Sequence, residues 1–154
     1  MFFLGCHLID LVLQIQGMPA NIIVLNKSTG VDGVTAQDYG MAVFEYPNGN
    51  SFVKACAEEV GGYARRQLVV SGSKGTVELK PLEAVQDGMQ YTEKAEYLNP
   101  DWHDEVETKR SALYDRYDDM MASFAKMVRG EIKNPYSYDY EHMLYKTILK
   151  CCNA

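Results

Sequence analysis

The sequence predicts an α+β fold: an open, mostly antiparallel sheet of about five to six strands with helices packed on one face. Three observations carry that expectation. Apolar residues recur at helical spacing near both ends of the chain, short strand-like runs fill the middle, and those runs are joined by turns of hairpin length rather than by crossover helices. Strands in a block followed by helices in a block favour antiparallel pairing, and no Gly-x-Gly-x-x-Gly marks a parallel dinucleotide-binding sheet.

The first element is a helix, because Leu4, Leu8, Leu11, Val12 and Ile15 fall on one face and Gly17 with Pro19 ends it. It starts without Ser, Thr, Asp or Asn to receive its first N–H groups, which is the expectation for a cut end of a longer chain. Strands are then expected at 21–26, 38–46 and 51–57, the last two flanking a Pro47-Asn48-Gly49-Asn50 turn. Runs 67–71 and 76–79 flank Gly72-Ser73-Lys74-Gly75 and read as a second hairpin, with 90–93 as a further edge strand. That glycine turn lacks the Gly-Lys-[Ser/Thr] order and the following helix of a phosphate loop. After the polar, aromatic stretch Pro100-Asp101-Trp102-His103-Asp104, the residues Leu113, Tyr117, Met120, Met121, Phe124 and Val128 mark an apolar helix face that stops at Gly130. The last helix is expected at 138–152, with Met143, Leu144, Ile148 and Cys151 inward.

At 154 residues and 47% hydrophobic content, the chain is expected to form a single domain over 1–154, with a core that needs neither disulfide nor metal. Its 15 basic and 21 acidic residues give a net charge of -6, and the basic residues are scattered, adjacent only at Arg65-Arg66 and Lys109-Arg110, so nucleic acid is not an expected partner. No apolar run approaches the roughly 20 residues of a membrane span. Cys6, Cys56, Cys151 and Cys152 have no Cys-x-x-Cys spacing, which excludes a zinc motif and fits reduced thiols in a cytoplasmic protein. Both alternate sets of the central strands are apolar: Met41 and Val43 against Ala42, Phe44 and Tyr46, then Phe52 and Cys56 against Val53 and Ala55. A solvated face carries more charge than this, so the open sheet face is expected to pack on a second copy or another domain.

His7 and Asp10 stand three apart, a spacing at which a carboxylate can orient an imidazole. The same spacing serves equally as a structural hydrogen bond. Tyr63, Arg65 and Arg66 lie between strands, where a guanidinium can fork to a carboxylate or a sugar hydroxyl. Trp102 and His103 occupy a loop of the kind that stacks on a sugar ring. His142 beside Glu141, and the run Asp115-Arg116-Tyr117-Asp118-Asp119, read as solvent-facing helix surface. Cys6 and His7 are helix neighbours that point about 100° apart, which disfavours a thiol–imidazole pair in a self-contained enzyme.

The order Gly5-x-His7-x-x-Asp10-Leu11, then Gly17-x-Pro19, then Arg66-x-Leu68-x-Val70-x-Gly72-x-Lys74-Gly75-Thr76-Val77-Glu78-Leu79 resembles the C-terminal domain of the Gfo/Idh/MocA oxidoreductases, the relatives of glucose-fructose oxidoreductase and inositol dehydrogenase. The resemblance runs from Met1 to about Leu79. It implies a parent protein whose N-terminal Rossmann domain binds NAD or NADP and supplies a Glu-Lys-Pro lysine, and no cofactor bound by this chain alone. It also implies that His7 is the family's acid or base on a substrate hydroxyl, a step suited to an imidazole. Many members carry an Asp four residues before that histidine; here the position is Phe3. Asp10 matches a frequent family position with a structural role. The implied function is that of a substrate and oligomerisation domain of an oxidoreductase acting on a sugar, cyclitol or polyol, inactive alone and dimeric through the open sheet face. The alternative is a non-catalytic dimerisation or ligand-binding module on the same fold.

Overall fold

The computed structural model describes residues 1–98 and 106–153. The chain groups into two compact units, Met1–Glu59 with Asn134–Ala154, and Val60–Lys133. The α+β class holds. The strands, however, are spread over sheets of three, four and two strands among the described residues, rather than one sheet.

In the first unit, helix α1 (Phe2–Gln16) leads into strands β1 (Asn21–Val24), β2 (Tyr39–Tyr46) and β3 (Gly49–Cys56), and the chain returns at its end as helix α3 (Tyr138–Cys151). The last helix is named α3 because α2 belongs to the second unit. The sheet order is β1-β2-β3, antiparallel throughout. Gly17 closes α1 at a positive φ of 73°, open to glycine, and its N–H donates to the Leu13 carbonyl at 2.8 Å. Ser137 caps α3, its Oγ accepting from the Tyr140 N–H at 3.1 Å.

Register decides which side chains become core. Ile22 stands opposite Phe44, and Ala42 lies between Val24 and Val53, so one face of the sheet turns these residues toward the helices. Phe44, Ala42 and Val53 pack there with Ile9, Val12 and Leu13 of α1 and with Ile148 and Cys151 of α3. Burial pushes the Cys151 thiol up to about 11, so it remains a neutral, space-filling group. Asn26 ties the end of β1 to α3: its Nδ2 donates to the Cys151 carbonyl at 2.8 Å, while its Oδ1 accepts from the Met41 N–H at 3.2 Å. On the opposite face Ile23, Val43 and Phe52 are directly paired across the three strands, and Phe52 is 66% exposed.

The second unit holds β4 (Leu68–Gly72), β5 (Gly75–Leu79), β6 (Ala84–Gln86), β7 (Met89–Tyr91), β8 (Glu93–Tyr97), β9 (Thr108–Arg110) and helix α2 (Asp118–Val128). Its larger sheet runs β4-β5-β8-β9, and β6-β7 form a separate hairpin. Gly75 is required at the tip of the first hairpin: a Cβ there would sit 2.7 Å from the Tyr97 carbonyl oxygen on β8. The turn Asp87-Gly88 has φ of 52° and 79°, the two left-handed residues a tight hairpin takes. Trp102 and His103 lie outside the described residues.

Helix α2 begins at Asp118, five residues later than the apolar pattern begins. Among the described residues its expected face is not covered: Tyr117, Met120, Met121, Phe124 and Val128 are all exposed, and α2 has no buried residue. Only α1 and α3 therefore fulfil the expectation of helices packed on a sheet face.

Candidate functional site

Helix α1 carries His7 on an exposed turn, between Phe3 and Leu11 at four-residue spacing along the same face. Phe3 is 84% exposed, so the position where a carboxylate was expected presents an apolar ring to solvent. Among the described residues no side chain hydrogen-bonds to the His7 ring. Asp10 is turned elsewhere: it accepts from Gln14 Nε2 at 2.9 Å and from the Tyr140 hydroxyl in a short hydrogen bond. Burial, and then the neighbouring Asp10 carboxylate, push the Tyr140 phenol up to about 12. Asp10 thus joins α1 to α3, and the His7–Asp10 pairing that the spacing permits does not form. The reason is positional. Tyr140 occupies the seam between the helices on the side of α1 where Asp10 emerges.

The second unit supplies a different cluster. The turns over 59–65 are followed by Arg66, whose carbonyl accepts from the Leu82 N–H at 2.7 Å, bringing the chain at Arg66 beside Glu83. Arg66 Nη1 lies 3.3 Å from Glu83 Oε2, and the Arg66 guanidinium carbon lies 4.7 Å from the centroid of the Tyr63 ring. Arg116 grips the same carboxylate with Nε and Nη2 in a bidentate fork, and its Nη2 also reaches Tyr63 Oη at 3.3 Å. These hydrogen bonds from Arg116 hold the Glu83 carboxyl below the usual carboxylate range against the opposing effect of burial. Because its folded value is depressed, the stability Glu83 contributes is present above the unfolded carboxylate range and is lost as pH falls through the folded one.

Tyr63 and Arg66 are therefore brought together, and Arg65 is exposed nearby in sequence. Glu83 and Arg116 escaped sequence reasoning. They are 33 residues apart, and Arg116 looked like part of a solvated helix face, whereas it precedes α2 and turns its charge inward onto Glu83. Two shallow clefts of about 140 and 160 Å3 flank β8, lined respectively by residues such as Lys94, Glu96 and Lys109, and Glu78, Glu93 and Tyr97; neither contains a candidate residue. Among the described residues no group of three or more His, Cys, Asp or Glu is placed to hold a metal ion, and no helix is long and apolar enough to cross a membrane.

The described residues do not form the parallel, glycine-turn dinucleotide cradle of a Rossmann sheet. Every pairing of the named strands is antiparallel, and the Gly72 to Gly75 turn joins β4 to β5 rather than a strand to a helix.

A family model describing the GFO/IDH/MocA C-terminal domain matches residues 1–78. Two solved structures share the fold. One, a "putative oxidoreductase" from Klebsiella pneumoniae, is 23% identical with a TM-score of 0.71 over 99% of this chain and 46% of its own. The other, likewise a "putative oxidoreductase", from Yersinia pestis, is 18% identical with a TM-score of 0.65 over 97% of this chain and 46% of its own. The chain spans less than half the length of either. No curated protein matches it. The family match takes in half of the chain, from α1 with His7 through the β4–β5 hairpin, and the chain accordingly belongs to the GFO/IDH/MocA C-terminal domains.

Proposed function

We propose that this chain is the substrate-side half of an NAD(P)-dependent oxidoreductase acting on a sugar, cyclitol or related polyol, and that it is inactive by itself. The observation that carries this reading is the family match over the segment containing His7, in a chain that spans 46% of the solved relatives' length. In this reading His7 takes the proton of the substrate hydroxyl as the adjacent carbon gives up hydride to an acceptor carried by the other half. Tyr63, Arg65 and Arg66 contact the substrate, as do Trp102 and His103. The exposed position of His7, with no side-chain hydrogen bond to its ring among the described residues, supports such a role.

The reading is tested by thermal unfolding of the chain in NAD or NADP. No shift is expected. Binding tighter than about 0.1 mM is worth more than ~1 kcal/mol at roughly 1 mM cofactor by mass action, and a shift of that size contradicts the proposal.

A second reading, a non-catalytic dimerisation module, is favoured by the apolar Ile23–Val43–Phe52 row, exposed at Ile23 and Phe52, and by Phe3 in the expected Asp position. Both readings place a second copy on that sheet face. Light scattering of the chain is expected to report a dimer that Phe52→Asp converts to monomer, because a buried, unpaired carboxylate at the β3 end of the row opposes association. A strict monomer at high concentration contradicts the dimer.

A further inference from the structure

In the Tyr63–Arg66–Glu83–Arg116 cluster two guanidiniums share one carboxylate, so the cluster carries one uncompensated positive charge. The arrangement is layered by exposure. Glu83 is covered, with its side chain 14% exposed, whereas the Arg116 and Arg66 side chains are 37% and 42% exposed. Each guanidinium has five N–H donors. Arg116 commits Nε and Nη2 to Glu83 and Tyr63 and lies beside Tyr117; among the described residues Arg66 commits Nη1 to Glu83, leaving its Nε and Nη2 to a ligand.

A structural ion pair needs only one of these cations to satisfy Glu83. The second is surplus to that need, yet the shared carboxylate and the Tyr63 ring hold it in a fixed orientation. Donors held in place before a ligand arrives lose little freedom on binding. An accessible pair of planar donors, net positive and beside an aromatic ring with a hydroxyl, suits a ligand that offers carboxylate oxygens next to a hydroxylated carbon chain. We propose that Arg66 and Arg116, braced by Glu83 against Tyr63, form a subsite for the carboxylate of a sugar acid or other polyol acid. This narrows the substrate class of the proposed function and rests on that reading of Tyr63 and Arg66.

The test is calorimetric titration of the whole chain, at fixed ionic strength, with D-gluconate, with sorbitol as its uncharged counterpart, and with inorganic phosphate. Gluconate is expected to bind saturably and at least about tenfold more tightly than sorbitol, as expected for a charge-assisted hydrogen bond. Arg116→Gln should weaken gluconate by about tenfold or more and leave sorbitol unchanged. Should that variant unfold, Arg66→Gln decides, since it preserves the bidentate Arg116–Glu83 fork. Gluconate binding no better than sorbitol, binding indifferent to both substitutions, or binding of phosphate alone overturns the subsite. Equal binding of gluconate and sorbitol overturns it while leaving the polyol reading intact; that wider reading falls instead with cofactor binding to the isolated chain.

Discussion

Phe44→Ala is expected to destabilise the first unit by about 3–5 kcal/mol, the range for removing an aromatic ring from a close-packed core. Phe44 is fully buried, lies opposite Ile22 and Ser51 on the middle strand of its sheet, and packs in the core that α1 and α3 complete. The surrounding elements cannot easily collapse into the vacated space, because β2 is hydrogen-bonded on both sides and Asn26 holds the end of β1 to α3. Urea unfolding followed by circular dichroism measures the loss. Phe3→Ala is the matched control: it removes the same ring from a position 84% exposed, and its cost should stay within about 0.5 kcal/mol. A Phe44→Ala loss below roughly 1 kcal/mol contradicts the core as described.

The helices at both ends of the first unit were legible because an apolar stripe at helical spacing has few other uses. The expected range 138–152 and the observed Tyr138–Cys151 differ by a single residue. The first two hairpins were legible for a similar reason, with apolar strands on either side of glycine turns. What escaped was structure made by pairing rather than by pattern. Strand β8 is rich in charge, with Glu93, Lys94 and Glu96, and buries only Ala95; it is a strand because β5 and β9 hydrogen-bond to it on both sides. The β6–β7 hairpin announces itself only in Asp87-Gly88, with strands too short to show alternation. The apolar stripe of α2 starts earlier than the helix does, since Tyr114 pairs with Gln90 instead of starting a helix.

The site divides in the same way. His7 was visible because a motif of local spacing carries it. Asp10 was visible as a residue but not in its partner: Tyr140 is 130 residues away, and nothing in the spacing to His7 distinguishes a carboxylate that turns to an imidazole from one that turns to another helix. Glu83 and Arg116 belong to no pattern at all. Their pairing comes with Tyr114 returning to pair with Gln90, two residues before Arg116, a tertiary fact.

In the proposed function His7 performs proton transfer for a reaction whose hydride acceptor is held by another half of the protein. The most direct measurement is the turnover of a polyol with NAD or NADP by this chain joined behind a dinucleotide-binding half, with and without His7→Gln. A positioned acid–base group contributes about 10²–10⁴-fold, so the variant should lose turnover by that factor while its unfolding midpoint stays near that of the unsubstituted protein. Asp10→Asn should behave in the opposite way, disturbing the α1–α3 seam at Tyr140 and costing stability, with turnover changed by less than about tenfold. If His7→Gln turns over within about threefold of the unsubstituted protein, His7 is not the acid–base group and the account of this chain as the proton-transferring half of an oxidoreductase is wrong.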